Sequence, residues 1–181
     1  MGGARADAVM VKPEKVVGIE IKSDEDSYTR LQSQVEDYDL YFDQNYIVVG
    51  TSHAQHVEEH VPEHWGIITV ESEEGRPDFY VLRDAADNPH RDRKKKLSLL
   101  WRPELVHIQQ LNDMPKYEGK SKEFVIDKIL LRVPEERLAP QISEELFERD
   151  YSTILETINT YRQAHGQKKR RKRRRRKYKP I

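Results

Sequence analysis

The sequence predicts an α/β fold, a central mixed β-sheet flanked by helices, on three observations. In "VVGIEIK" (16–22) apolar residues fall on alternate positions, the period of a strand. From Ser27 to Phe42 the period changes, because Leu31, Val35, Tyr38 and Phe42 recur at spacings of four, three and four, one face of a helix. "YIVVG" (46–50) is then a short, wholly apolar run, as expected for a strand buried on both faces. Strands alternating with helices imply a layered fold around one sheet.

The elements follow in order. "RADAVMV" (5–11) and "VVGIEIK" read as two strands of a hairpin closed by "KPEK". Ser23, Asp24 and Asp26 precede the helical stretch and are good N-cap residues, since a short side-chain oxygen can accept from the first free helical N–H groups. After the strand at 46–50, "AQHVEEH" (54–60) reads as a short helix that stops before Pro62. "WGIITV" (65–70) and "DFYVL" (78–82) read as strands, with "EEGRP" as the turn between them. The order is β-β-α-β-α-β-β.

The polar, turn-rich stretch "RDAADNPHRDRKKK" (83–96) reads as a linker between a first domain, 1–82, and a helical subdomain, 97–165. In the latter, Leu105, Ile108, Leu111, Phe124, Ile126, Ile129 and Leu130 are the expected apolar contacts, and Trp101 a core anchor. The run "PELVHIQQLNDMPKYEGKSKEFVIDKIL" is also distantly similar to SAP-type DNA-binding modules, in which case Lys116, Lys120 and Lys122 approach phosphates.

Composition narrows the class. The 181 residues are 36% hydrophobic and 35% charged, polar but compatible with a packed core. Cysteine is absent, which excludes disulfides and Cys-zinc sites and suits a reducing, cytoplasmic setting. The start, "MGGARADAVMV", has no apolar run of signal-peptide type, and no stretch approaches the ~20 apolar residues of a membrane span, so no membrane partner is expected.

The net charge of zero hides a segregation. Residues 166–181 hold 11 Lys or Arg and no acid, leaving 21 basic against 32 acidic residues, about −11, on the rest. The run Lys168, Lys169, Arg170, Arg171, Lys172, Arg173, Arg174, Arg175, Arg176 and Lys177 cannot bury apolar surface and repels itself, so it is expected to be disordered when free. Its expected role is to bind a polyanion, DNA first, with RNA also open. A localisation signal, or a tail folded back onto the acidic body, are the other readings.

The hairpin carries the chemistry. A symmetric turn about Pro13 and Glu14 pairs Val11 with Val16, Val9 with Gly18 and Asp7 with Glu20. One face then holds Ala6, Ala8, Met10, Val17, Ile19 and Ile21, and is expected to be core. The other places the carboxylates of Asp7 and Glu20 side by side, with Lys22 two residues along. Like charges in such a position repel, and a hard divalent cation removes the repulsion, because Mg²⁺ prefers oxygen ligands and often takes only one or two carboxylates. A solvated strand face carrying ordinary surface charges is the plainer reading.

Asp7 followed by Glu20-Ile21-Lys22 on the next strand resembles the PD-(D/E)XK nuclease signature. In the following helix Gln34 and Tyr38, at i and i+4, resemble the QxxxY motif of RecB-like and Cas-type exonucleases in that superfamily. The wording of "GIEIKSDEDSYTRLQSQVEDY", "YIVVGTSH" and "VPEHWGIITV" is similar to small bacterial and phage PD-(D/E)XK-like proteins over about residues 5–82.

The resemblance implies a restriction-endonuclease-like sheet, with Asp7, Glu20 and the Ile21 carbonyl holding Mg²⁺ or Mn²⁺. It implies that Lys22 assists a nucleophilic water and that Gln34 and Tyr38 order the site, with hydrolysis of DNA as the reaction. A non-catalytic nucleic-acid-binding protein on the same scaffold, and an accessory subunit of a larger nucleoprotein complex, are the alternatives. Such folds usually begin with a helix, whereas here the first strand is expected from Arg5, so one sheet face is expected to be partly uncovered.

Among the histidines, His56 and His60 at i and i+4, with His53 and His64 nearby, have a spacing that can bind zinc, although not in the order of a metalloprotease motif. A solvated, histidine-rich helix is the expectation, with His53 near the candidate site.

Overall fold

The computed structural model describes residues 6–73, 76–149, 156, 159 and 160. Five strands, β1 (Ala8–Val11), β2 (Val16–Lys22), β3 (Gln44–Gly50), β4 (Gly66–Glu73) and β5 (Arg76–Arg83), form one sheet in the order β1-β2-β3-β4-β5. The outer pairs, β1/β2 and β4/β5, are antiparallel, and the inner pairs, β2/β3 and β3/β4, are parallel. The sheet is therefore mixed and flanked by helices, as the sequence predicts.

The parallel step from β2 to β3 needs a crossover, and α1 (Leu31–Tyr41) supplies it after a 3₁₀ turn at Tyr28–Arg30. Its buried stripe, Leu31, Val35 and Tyr38, is the predicted one, and Phe42 just beyond it is buried too. Phe42 packs on Gly18 of β2, where a Cβ would stand 2.3 Å from the ring. Only glycine admits that contact. The predicted second helix is a single 3₁₀ turn, Val57–Glu59.

Two expectations about burial are corrected. β3 is not buried on both faces: Asn45, Ile47 and Val49 are buried while Tyr46, Val48 and Gly50 are half-buried. The expected core face of the hairpin is buried at Val17 but not along its length. Val16, Gly18, Glu20 and Lys22 lie on the buried side, whereas Met10 and Ile21 are 40% and 50% exposed. The physical reason is the crossover: α1 packs on whichever face its own apolar stripe meets, and here that face includes the charged pair.

The stretch 83–96 is not a linker. Ala86, Asn88 and Asp92 donate backbone N–H bonds to the carbonyls of His64, Asp43 and Leu40, and the Asn88 amide donates to the Asp39 and Phe42 carbonyls. It leads into α2 (Arg93–Leu97), capped by Asp92, and then α3 (Arg102–Leu111), α4 (Lys122–Arg132) and α5 (Glu135–Phe147). Residues 1–147 form one compact unit, so no domain boundary falls at 83–96. Polar composition misled here because these side chains serve as hydrogen-bond partners for chain ends left by α1.

In the helical part Leu105, Ile108, Ile126 and Ile129 are buried as expected, Phe124 and Leu130 are half-buried, and Leu111 is 48% exposed. The fully buried tryptophan is Trp65, not the half-buried Trp101. Lys122 donates to the Ser98 carbonyl and Lys120 lies over the Phe124 ring, so these two cations of the SAP-like reading have contacts within the fold.

Residues 148–181 form a second unit. Its described residues Glu156, Asn159 and Thr160 are helical, with the Thr160 hydroxyl donating to the Glu156 carbonyl at 2.9 Å. The basic run at 168–177 lies outside the described residues, as do Arg5 at the expected start of β1 and Glu74 and Gly75 of the β4–β5 turn.

The carboxylate of Asp43, 4% exposed, accepts from the Val16 N–H at 2.6 Å, from the Lys96 ammonium at 2.7 Å and from the Arg91 guanidinium. Lys96 is itself 1% exposed. Removing Asp43 leaves that ammonium buried and unpaired, so Asp43→Ala is expected to lower stability by about 3–5 kcal/mol. Urea denaturation measures this, and a loss below about 1 kcal/mol contradicts it.

Candidate functional site

The site begins with the hairpin register. Val11 pairs with Val16, Val9 with Gly18 and Ala8 with Ile19, the register that the turn symmetry predicts. Asp7, one residue before β1, therefore arrives at the level of Glu20. The two carboxylates hold different partners. Asp7 is exposed and turns its Oδ2 to the strand edge, accepting from the Ile21 N–H at 3.0 Å. Glu20, 1% exposed, turns under α1.

Under α1 the predicted helix pair meets the predicted strand pair. Gln34 and Tyr38 project from one face of α1 onto Glu20 and Lys22 of β2. The Lys22 ammonium lies 2.8 Å from Glu20 Oε1 and donates to Gln34 Oε1 at 2.9 Å. The Gln34 amide donates in turn to Glu20 Oε1. An amide suits this place because its oxygen faces the ammonium while its nitrogen faces the carboxylate. Tyr38 donates to Glu20 Oε2 at 2.7 Å, and its oxygen accepts from the Asp7 N–H at 3.2 Å. The Ile19 carbonyl also lies 3.2 Å from it, but the single phenolic proton favours the shorter, charged acceptor. Burial, then the Glu20 hydrogen bond, push the Tyr38 phenol far above its ordinary pKa, so it is a neutral donor and not a base.

The position of Tyr38 is fixed from behind. Its ring lies 5.5 Å from that of Trp65 and 5.3 Å from that of Phe42. Asp39, next along α1, accepts from Trp65 Nε1 at 2.8 Å, from Asn45 at 2.9 Å and from His64 at 3.0 Å. This Asp39 network was not predicted from sequence. Its members are scattered over α1, β3 and the start of β4, so no local spacing announces it.

The donors available to a cation are all oxygens. In an antiparallel hydrogen-bonded pair both groups of a residue leave on one strand edge, so the Ile21 carbonyl emerges on the side where its N–H meets Asp7. β1 pairing ends at Ile19, which leaves that edge of Ile21 to the Asp7 side chain. Asp7 and the Ile21 carbonyl thus fit a hard cation such as Mg²⁺. Glu20 can join them through the lone pair that Lys22, Gln34 and Tyr38 leave unused, since a carboxylate accepts about four bonds. Among the described residues no three His, Asp or Glu side chains form a metal-binding group.

The other candidates fall apart as a set. His64 is engaged by Asp39, His56 lies 3.8 Å from Glu59, and His53 and His60 pack against the Tyr28 ring at 4.8 and 4.3 Å. His53 lies beside Asp24, whose carboxylate accepts from the Ser52 N–H.

The family profile of the bacteriophage P4 protein cII matches residues 3–173. The chain belongs to that family. No curated protein and no solved structure matches it. The family match runs through all five strands, the Glu20 cluster, the helical part and the first six residues of the basic run. No helix among the described residues is long and apolar enough to cross a membrane.

Two measurements check this geometry. Tyr38→Phe removes a donor to a buried carboxylate and is expected to cost about 1–3 kcal/mol in urea denaturation. A variant as stable as the parent sinks the assignment of that bond. At the end of β2, the Ser52 hydroxyl (2.5 Å) and N–H (3.0 Å) bond Asp24 and hold its carboxyl below its ordinary pKa. A depressed folded pKa stabilises the protein above the unfolded value, and that contribution disappears as pH falls through the folded value. Melting temperatures at neutral pH and near pH ~3 should therefore differ less in Asp24→Asn than in the parent. An equal difference in both argues against the contact.

Proposed function

We propose that this protein is a metal-dependent nuclease of PD-(D/E)XK type that hydrolyses DNA, with the basic run 168–177 supplying much of its affinity for the polymer. The observation that carries this reading is the convergence of Glu20, Lys22, Gln34 and Tyr38 into one hydrogen-bonded cluster beside Asp7. The strand motif and the helix motif are separate in sequence, and a chance likeness in either would not require the four side chains to meet.

In this reading Asp7, Glu20 and the Ile21 carbonyl hold Mg²⁺ or Mn²⁺. The bound ion would polarise a phosphate oxygen and lower the pKa of a coordinated water. Lys22 supplies a fixed positive charge beside the glutamate, suited to orienting the attacking water and to offsetting negative charge that develops on phosphorus. Gln34 ties that ammonium to Glu20, and neutral Tyr38 holds the second glutamate oxygen and the Asp7 backbone together. Hydrolysis consumes one water: an O–P bond forms, the bond from phosphorus to the leaving sugar oxygen breaks, and that oxygen takes a proton. The acidic body repels DNA, so binding rests on the basic run and should weaken steeply with salt.

One observation favours a second reading, a non-catalytic nucleic-acid-binding or accessory protein on the same scaffold. Glu20 is 1% exposed and both of its oxygens already hold donors, the state of a structural polar cluster.

Cleavage of labelled single- and double-stranded DNA with Mg²⁺, Mn²⁺ or EDTA separates them. The nuclease reading expects metal-dependent cutting that falls at least ~100-fold in Glu20→Gln and in Lys22→Ala, with circular dichroism showing both variants folded. If the parent binds DNA but cuts nothing with either metal, and Glu20→Gln binds equally well, the second reading replaces it. Deleting residues 166–181 should weaken binding and flatten its salt dependence in either case.

A further inference from the structure

We propose that the cavity between the hairpin turn and α5 binds one purine ring of a nucleic-acid strand. The cavity holds about 380 Å³ and is bounded by Val11, Lys12 and Pro13 on the turn and by Pro140, Ser143 and Phe147 on α5. An apolar cavity of ~150 Å³ accepts a benzene ring, so a space about two and a half times larger suits a two-ring molecule. Its walls are chiefly apolar, and Pro13, Pro140 and Phe147 present rings to it. Pro13 and Phe147 are exposed, so the mouth opens to solvent and leaves a way out for an attached sugar.

The polar groups are few and suit the edge of a base. Ser143 is 2% exposed, and its hydroxyl has no partner among the described residues. A serine within a helix commonly returns its hydroxyl to the carbonyl four residues back, and this one does not. A buried hydroxyl left unpaired is a cost that a ligand removes. Glu144, exposed on the same wall, supplies an acceptor, and the Lys12 ammonium, 3.1 Å from the Gln44 amide oxygen, supplies a donor. A purine edge offers both kinds of partner, ring-nitrogen acceptors and an exocyclic amino donor. A pyrimidine has similar chemistry but underfills the space.

Placement joins the cavity to the candidate site. Val11 pairs with Val16, and Val16, Gly18 and Glu20 alternate along one face of β2. Leu138 and Ile142 of α5 share a core cluster with Val16, so α5 packs on that face. The cavity thus lies on the Glu20 side of the sheet, roughly 13 Å along β2 from that residue. A base stacked inside a duplex cannot enter, because its faces and edge are already engaged. The cavity therefore takes an unstacked purine a few nucleotides from the bond to be cut. The choice of a nucleobase over other two-ring molecules rests on the proposed function, whereas the cavity itself does not.

Proton NMR saturation transfer from the full chain to free adenosine and cytidine, in EDTA so that nothing is cut, tests the cavity. Transfer to adenosine is expected to exceed that to cytidine, and to fall at least about threefold in Phe147→Ala and in Ser143→Ala. Phe147 is 76% exposed, so its removal should leave the fold intact, as circular dichroism checks. Anisotropy of a labelled single-stranded pyrimidine oligonucleotide, with and without one central adenine in place of a pyrimidine, separates a base of the strand from a free nucleoside. The adenine should tighten binding at least about threefold in the parent and not in the two variants. Adenosine bound without that gain reassigns the cavity to free nucleosides and overturns the polymer source. Equal transfer to adenosine and cytidine, or transfer unchanged in both variants, overturns the proposal. Metal-dependent cutting by the parent is a separate result, decided by the Glu20 and Lys22 variants whether or not a purine is bound.

Discussion

The buried carboxylate of Asp43 is the constraint on which the rest of this structure depends. It sits between the end of α1 and the start of β3, and binds the first N–H of β2, the ammonium of Lys96 and the guanidinium of Arg91. Arg91 also reaches Glu135 at the start of α5, at 3.0 Å. One acidic side chain thus ties the sheet, the crossover helix and the helical part into a single unit. A charge so deeply buried is tolerated only because its partners satisfy it. This is also why a polar stretch that looks like a linker cannot act as one: Asn88, Arg91 and Asp92 are spent on chain ends of the first half.

The position of α1 follows from that anchorage and decides the chemistry. With its C-terminal end fixed at Asp43 and Phe42 seated on Gly18, the helix lays Leu31, Val35 and Tyr38 on one face of β2. The same face carries Glu20 and Lys22. The pair is thereby enclosed, and Gln34 and Tyr38 become its partners. Enclosure strengthens each of these contacts, since water no longer competes for the charges. It also makes each harder to exchange for a ligand, the tension between the catalytic and the non-catalytic reading of the cluster.

Enclosing the charged face leaves part of the aliphatic one in solvent, Ile21 and Val81 included. Ile21, Val48, Ile68 and Val81 form a row across four strands, and β5 exposes Phe79 and Val81 at the far edge. The residues left in water there forgo the stabilisation that burial would give them.

Much of this was legible in the residues. The strand and helix periods, the order of elements, the hairpin register and the spacing that aligns Gln34 with Tyr38 are local properties, set by backbone geometry over a few residues. The one-sided burial of β3, the buried face of the hairpin and the strap at 83–96 were not legible. Alternation shows that a strand has two unlike faces, but both faces of β2 carry residues able to pack, Ile19 and Ile21 on one and Val16 and Gly18 on the other. By itself the sequence determined the elements and their register, because these depend on neighbours in the chain. Only the tertiary structure decided which face is core and which charges are enclosed, because that depends on where α1 is anchored, and Asp43 fixes it through Lys96, 53 residues away.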